Sequence, residues 1–139
     1  MGFLDELRQL DSPTSRKERD QKINALIVKC VEKEFERMKF DLRQQVIKGH
    51  INSDASIGKS YGKRYVIATN RLYGRSIPYE LQSGVYHDTD NENEIFANNA
   101  KRIIECFVSM CSAEGIIGSG RAGDNYREPI ILSAIAYID

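Results

Sequence analysis

From Ser15 to Lys48 the chain runs without glycine or proline. Apolar residues recur there every third or fourth position: Ile23, Leu26, Ile27, Cys30, Val31, Phe35, Met38, Leu42 and Val46. That period places them on one stripe of a helix, with Lys, Glu, Arg and Gln covering the other side. Ser15 and Glu18 form an S-x-x-E capping box and Gly49 a C-terminal stop, so the pattern predicts a long helix over 15–49. About 34 residues at 1.5 Å each make a rod of roughly 50 Å. A globule of this chain length is only roughly 37 Å across. A straight helix would overhang its own domain, and the excess stripe would need a partner. Ile27, Val31, Phe35, Met38, Leu42 and Val46 are therefore the expected oligomer interface.

The remaining pattern is shorter-ranged. Within an arm over 1–14, Phe3, Leu4, Leu7 and Leu10 share one side of a short helix, expected to pack on the long helix or on a neighbour's. It breaks at Asp11-Ser12-Pro13, because the residue before a proline avoids helical geometry. Residues 50–60, rich in Ser, Asn, Asp and Gly, read as loop. Arg64–Thr69 reads as a strand, 70–76 as a turn or hairpin extension, and 77–86 as an edge strand because of Pro78. Thr89 and Glu92 make a second capping box, opening a helix over about 90–114. Its buried stripe is Phe96, Ala100, Ile103, Ile104, Phe107, Val108 and Cys111, and Gly115 ends it. A Gly-rich stretch, 115–124, reads as a loop. Residues 130–138 are nearly continuous in apolar character, as in a strand covered on both faces, and belong centrally in the sheet. The order α-α-β-β-α-β, with helices on one face of a small, mainly antiparallel sheet, defines a single α+β domain.

Composition narrows the function more by exclusion than by indication. A chain of 139 residues can bury a core without disulfides or metal. Twenty bases balance twenty acids, so no overall field draws it to nucleic acid or membrane, and any electrostatic role must come from local clustering. Cys30, Cys106 and Cys111 lie in helical apolar patterns without metal spacing, as buried small hydrophobes of a reducing cytoplasm do. No run approaches the roughly 18 apolar residues of a membrane helix. The acidic opening lacks a signal-peptide core, and Glu6 departs from the myristoylation pattern. The expected location is cytoplasmic.

Local clustering does occur. Between Ala55 and Tyr79 lie Lys59, Lys63, Arg64, Arg71 and Arg75 without one acid, interleaved with Tyr61, Tyr65, Tyr73 and Tyr79. Bases neutralise phosphates and aromatic faces accept stacked bases, so the composition suits a nucleotide or a single strand. The competing reading is neutralisation by Glu80–Glu94, which holds five acids and no base, with the tyrosines as ordinary strand residues. Four glycines around Arg121 could form an anion-binding nest, with Arg127 just beyond. The stretch follows a helix and precedes a strand, however, which is the reverse of a P-loop or Rossmann turn, so a connector is the simpler reading. The ligand-binding candidates are Lys59, Tyr61, Lys63, Arg64, Arg71, Tyr73, Arg75, Arg121 and Arg127.

His87, with Asp88, Asp90, Glu92 and Glu94, could ligate a metal, but a helix N-terminus explains those acids without one. No catalytic set, cofactor or metal is assigned. The sequence leads to a non-catalytic, homo-oligomeric binder of a phosphate-bearing ligand, either nucleotide or nucleic acid. The alternative is a protein-interaction, inhibitor or adaptor module acting through the long helix, and the third reading is a small hydrolase using His87.

Overall fold

The computed structural model describes residues 2–53, 62–82, 89, 91–125 and 127–139. Along the chain come α1 (Phe3–Leu10), α2 (Pro13–Ile47), β1 (Asn52–Ser53), β2 (Arg64–Leu72), α3 (Glu92–Ala113), β3 (Ile117–Arg121) and β4 (Ile130–Tyr137). Single 3-10 turns cover Gly74–Ser76 and Tyr79–Leu81. The strands form one antiparallel sheet in the order β1-β2-β4-β3, and α2 and α3 cover one of its faces. The α+β class and the expected order hold, and β4 lies inside the sheet, although helices cover only one of its faces and not both as its apolar run suggested. No helix among the described residues is long and apolar enough to cross a membrane.

Helix α2 starts two residues before its expected cap. Pro13 occupies the first turn, where its missing N–H costs nothing, and Ser12 accepts from the Ser15 backbone N–H at 3.1 Å. The Ser15 hydroxyl instead donates to the Gln9 carbonyl at 2.7 Å, fastening α1 to α2. At the other end Gly49 takes φ +73 and stops the helix, as expected. For α3 the cap is Asn91 rather than Thr89; its side chain accepts from Asn93 and Glu94, and Thr89 accepts from Asn91.

Two strands precede α3: β2 is the one expected from Arg64, while β1 falls in the stretch read as loop. Where an edge strand was expected the chain bends into the 3-10 turn Tyr79–Leu81, and Ile77 and Leu81, four apart, both point into the core. The Gln82 amide holds the bend by donating to the carbonyls of Gly74 and Ile77. The remainder of the expected strand, 83–86, lies outside the described residues. The Gly-rich stretch supplies the other correction, since 117–121 is strand β3. A Cβ on Gly118 would come within 2.8 Å of Cys111 Sγ, and one on Gly120 within 2.9 Å of Ile104. These glycines let β3 lie hard against α3.

The core joins α2, α3 and the sheet. Ile27, Val31, Phe35, Met38, Phe107, Leu132 and Val66 are buried in one cluster, with Phe35 and Phe107 edge-to-face at 6.2 Å. Each such side chain contributes roughly 1.5–3 kcal/mol of burial free energy. Five of the six residues expected at an oligomer interface, Ile27, Val31, Phe35, Met38 and Leu42, thus serve the chain's own core, because the sheet and α3 cover that stripe. Only Val46 is exposed. Within the α3 stripe, Val108 also points outward.

Candidate anion-binding site on the uncovered sheet face

Side chains alternate across a strand, so a sheet with helices on one face presents every second residue on the other. In β2, Val66, Ala68 and Leu72 are buried under the helices, which leaves Tyr65, Ile67, Thr69 and Arg71 on the opposite face. In β4 the same division buries Ile130, Leu132 and Ala134 and leaves Ile131, Ser133, Ile135 and Tyr137. In β3, Gly118 and Gly120 face α3, which leaves Ile117, Ser119 and Arg121. Among the described residues no element lies over this face.

The antiparallel register sorts the face into rows. Tyr65 pairs with Tyr137, their rings 5.6 Å apart. Next come Ile67, Ile135 and Ile117, then Thr69, Ser133 and Ser119, and last Arg71, Ile131 and Arg121. Chemistry therefore changes along the strands from aromatic, through apolar and hydroxyl, to cationic. Arg71 and Arg121 flank Ile131 from either side, two strand spacings or about 10 Å apart at Cα. That separation is within the combined reach of two arginine side chains. Beside them, Thr69, Ser119, Arg121, Ile131 and Ser133 line a shallow depression of about 410 Å³, and the Thr69 and Ser133 hydroxyls stand 3.3 Å apart. Neither arginine makes an ion pair among the described residues. Two guanidinium forks and three hydroxyls around one apolar floor suit a phosphate or carboxylate oxygen set.

The other candidates are dispersed. Arg64 is committed to Asp139: its Nε and Nη2 donate to the carboxylate at 2.7–3.1 Å, and its backbone N–H adds a bond at 3.1 Å. The Arg64 guanidinium holds the Asp139 carboxyl below the usual carboxylate range. Tyr73 and Arg75 leave the end of β2 together, with the guanidinium 5.6 Å from the ring centre. Arg127 lies in the β3–β4 connection beside Asn91, Glu92 and Asn93 at the start of α3, away from the arginine row. Lys63 is exposed just before β2. Lys59, Tyr61, His87, Asp88 and Asp90 lie outside the described residues. Among the described residues no three His, Cys, Asp or Glu side chains cluster as metal ligands would. Burial pushes the Cys111 thiol up to about 11, and burial likewise raises Cys30 and Cys106.

A second basic feature is periodic in the sequence itself. Lys29, Lys33 and Arg37 recur every fourth residue on α2 and line a groove of about 750 Å³. The opposite wall comes from residues 74–82, including Arg75 and Tyr79. Compared with known families, curated proteins and solved structures, the chain matches no family model, no relative and no structure.

Proposed function

We propose that this protein is a non-catalytic binder of a phosphate-bearing anion, a nucleotide or a nucleic-acid strand, taken on the uncovered sheet face between Arg71 and Arg121. One observation carries the reading. Two arginines from separate stretches of sequence fall in one cross-strand row, next to a row of hydroxyls, with no carboxylate in either row. The face is too small for a stable twofold sheet-on-sheet dimer. Three strands about 4.8 Å apart over six residues of about 3.4 Å cover roughly 300 Å², against about 800 Å² per partner in a standard interface. A small anion or a short stretch of polyanion fits it better.

The test is a calorimetric titration with pyrophosphate and with a nucleoside monophosphate. The pair Arg71→Glu and Arg121→Glu should weaken binding by more than tenfold, since each charge-assisted hydrogen bond is worth about 1.5–3 kcal/mol. Both residues are exposed, so the fold should survive. Unchanged binding in the folded double variant would sink the proposal.

A second reading, an assembly or adaptor module, is favoured by α1 rather than by the buried stripe of α2. Phe3, Leu4, Leu7 and Leu10 are 69%, 64%, 43% and 53% exposed, and α1 buries no residue at all. An amphipathic helix with its apolar side in water suits a second copy of the chain. Native mass spectrometry should then show an oligomer that Leu4→Asp with Leu7→Asp dissociates; a monomeric wild type at micromolar concentration would end this reading.

A further inference from the structure

We infer a second site, independent of the sheet-face reading: the groove between α2 and residues 74–82 takes the backbone of a single nucleic-acid strand. The argument begins with spacing. Four residues of helix advance about 6 Å, so Lys29, Lys33 and Arg37 present cations along some 12 Å of one wall. That step matches successive phosphates of an extended strand and is too wide for the adjoining phosphates of a nucleotide tail. Across the groove stand Arg75 and Tyr79, over a floor that includes the buried Ile77 and Cys30.

Charge and chemistry agree with the spacing. The four cations meet one carboxylate in the groove, Glu34, leaving three net positive charges in a chain whose overall charge is zero. Glu34 is only 4% exposed; it accepts from Asn70 Nδ2 at 3.0 Å and pairs with Arg37 at 3.5 Å, so its carboxylate is already engaged by these two partners. Lys29 and Lys33 make no ion pair among the described residues. Tyr79 is 72% exposed at the rim, and Tyr73 lies nearby under Arg75. A row of cations facing exposed rings uses both halves of a nucleotide, charge for the backbone and stacking for the base. An acidic peptide would engage the cations and leave the rings in water.

The experiment is fluorescence anisotropy of the full chain with fluorescein-labelled oligo-dT of 4, 8 and 12 nucleotides, repeated across a salt series. With three to four phosphates neutralised, log affinity should fall with log salt at a slope of about −2 to −3. Lys29→Glu with Lys33→Glu should weaken binding at least tenfold and flatten that slope by about 1.4, at about 0.7 per contact. Tyr79→Ala should weaken binding about tenfold with the slope unchanged. Circular dichroism verifies that each variant is folded.

The inference is overturned if no oligonucleotide binds at 0.1 M salt, or if the folded lysine variant binds like wild type. It is also overturned if poly-glutamate of equal charge competes as well as unlabelled oligo-dT. Should only the Arg71 and Arg121 variant lose binding, the strand lies on the sheet face, so the function proposed above stands and the groove site falls.

Discussion

At the scale of single residues, glycine is the most exacting choice in this chain. With 2.8 Å between a Gly118 Cβ and Cys111 Sγ, any side chain there must push β3 off α3. Gly118→Ala should cost about 1–3 kcal/mol in denaturant unfolding, as overpacked cores do; a loss below about 0.5 kcal/mol would show that β3 is free to move. Asp139 gives a pH-dependent prediction. Because Arg64 depresses its pKa, the pairing contributes at neutral pH and is lost as the solution is acidified below the ordinary carboxylate range. A carboxyl-detected NMR titration should place the Asp139 midpoint below that of an unpaired aspartate, and Arg64→Gln should raise it. Arg71 and Arg121 were legible as basic residues among tyrosines and glycines. That they share a row was not, because registry is fixed by cross-strand hydrogen bonds between stretches far apart in sequence. Arg64 looked equivalent to Arg71 in sequence; its parity with Val66, its place at the other end of β2 and its pairing with Asp139 remove it from the site.

Among elements, two polar side chains of α2 decide how the helix meets β2. The Gln45 amide donates to the Ile67 carbonyl at 2.7 Å and accepts from its N–H at 3.3 Å, occupying the edge of β2 beyond the two residues of β1. Glu34 anchors Asn70 within the interface. Asn70→Ala should cost about 1–3 kcal/mol, the penalty for leaving a buried acceptor short of a donor; thermal melting with the Glu34→Gln, Asn70→Ala double variant measures the coupling. The helices were readable because a period near 3.6 sustained over several turns has few competitors. The stretch 77–82 misled because Ile77 and Leu81, four apart around Pro78, carry a turn's spacing inside an apparent alternation. In 117–121 the alternation was genuine, but every second residue was glycine, and glycine reads as loop unless its neighbour is known.

Over the whole molecule, one cluster of buried side chains links α2, α3 and the sheet, while α1 contributes none. Denaturant should therefore unfold the domain in one transition, and Leu7→Ala with Leu10→Ala should shift its midpoint by no more than about 0.5 kcal/mol per site. A separate early transition reported by β4 would contradict a single core. None of the α2 residues before Ile23 is buried; α1 is fastened beside that end, and Asp20 there pairs with Arg102 of α3. The length of α2 was thus legible in its uninterrupted period, whereas the covering of the stripe depended on tertiary packing. The sheet's order has a consequence in time. β4 is the strand that joins β2 to β3, and its partners on β2 lie 58 to 72 positions earlier in the chain. During synthesis α2 can coil as soon as it emerges and can meet β2 and then α3, but the sheet stays open until residues 130–137 leave the ribosome. Pairing at such separation is slow to nucleate, and the waiting chain exposes the surface that holdase chaperones bind. The nascent polypeptide therefore holds two strand edges open until β4 enters between β2 and β3 and closes the sheet.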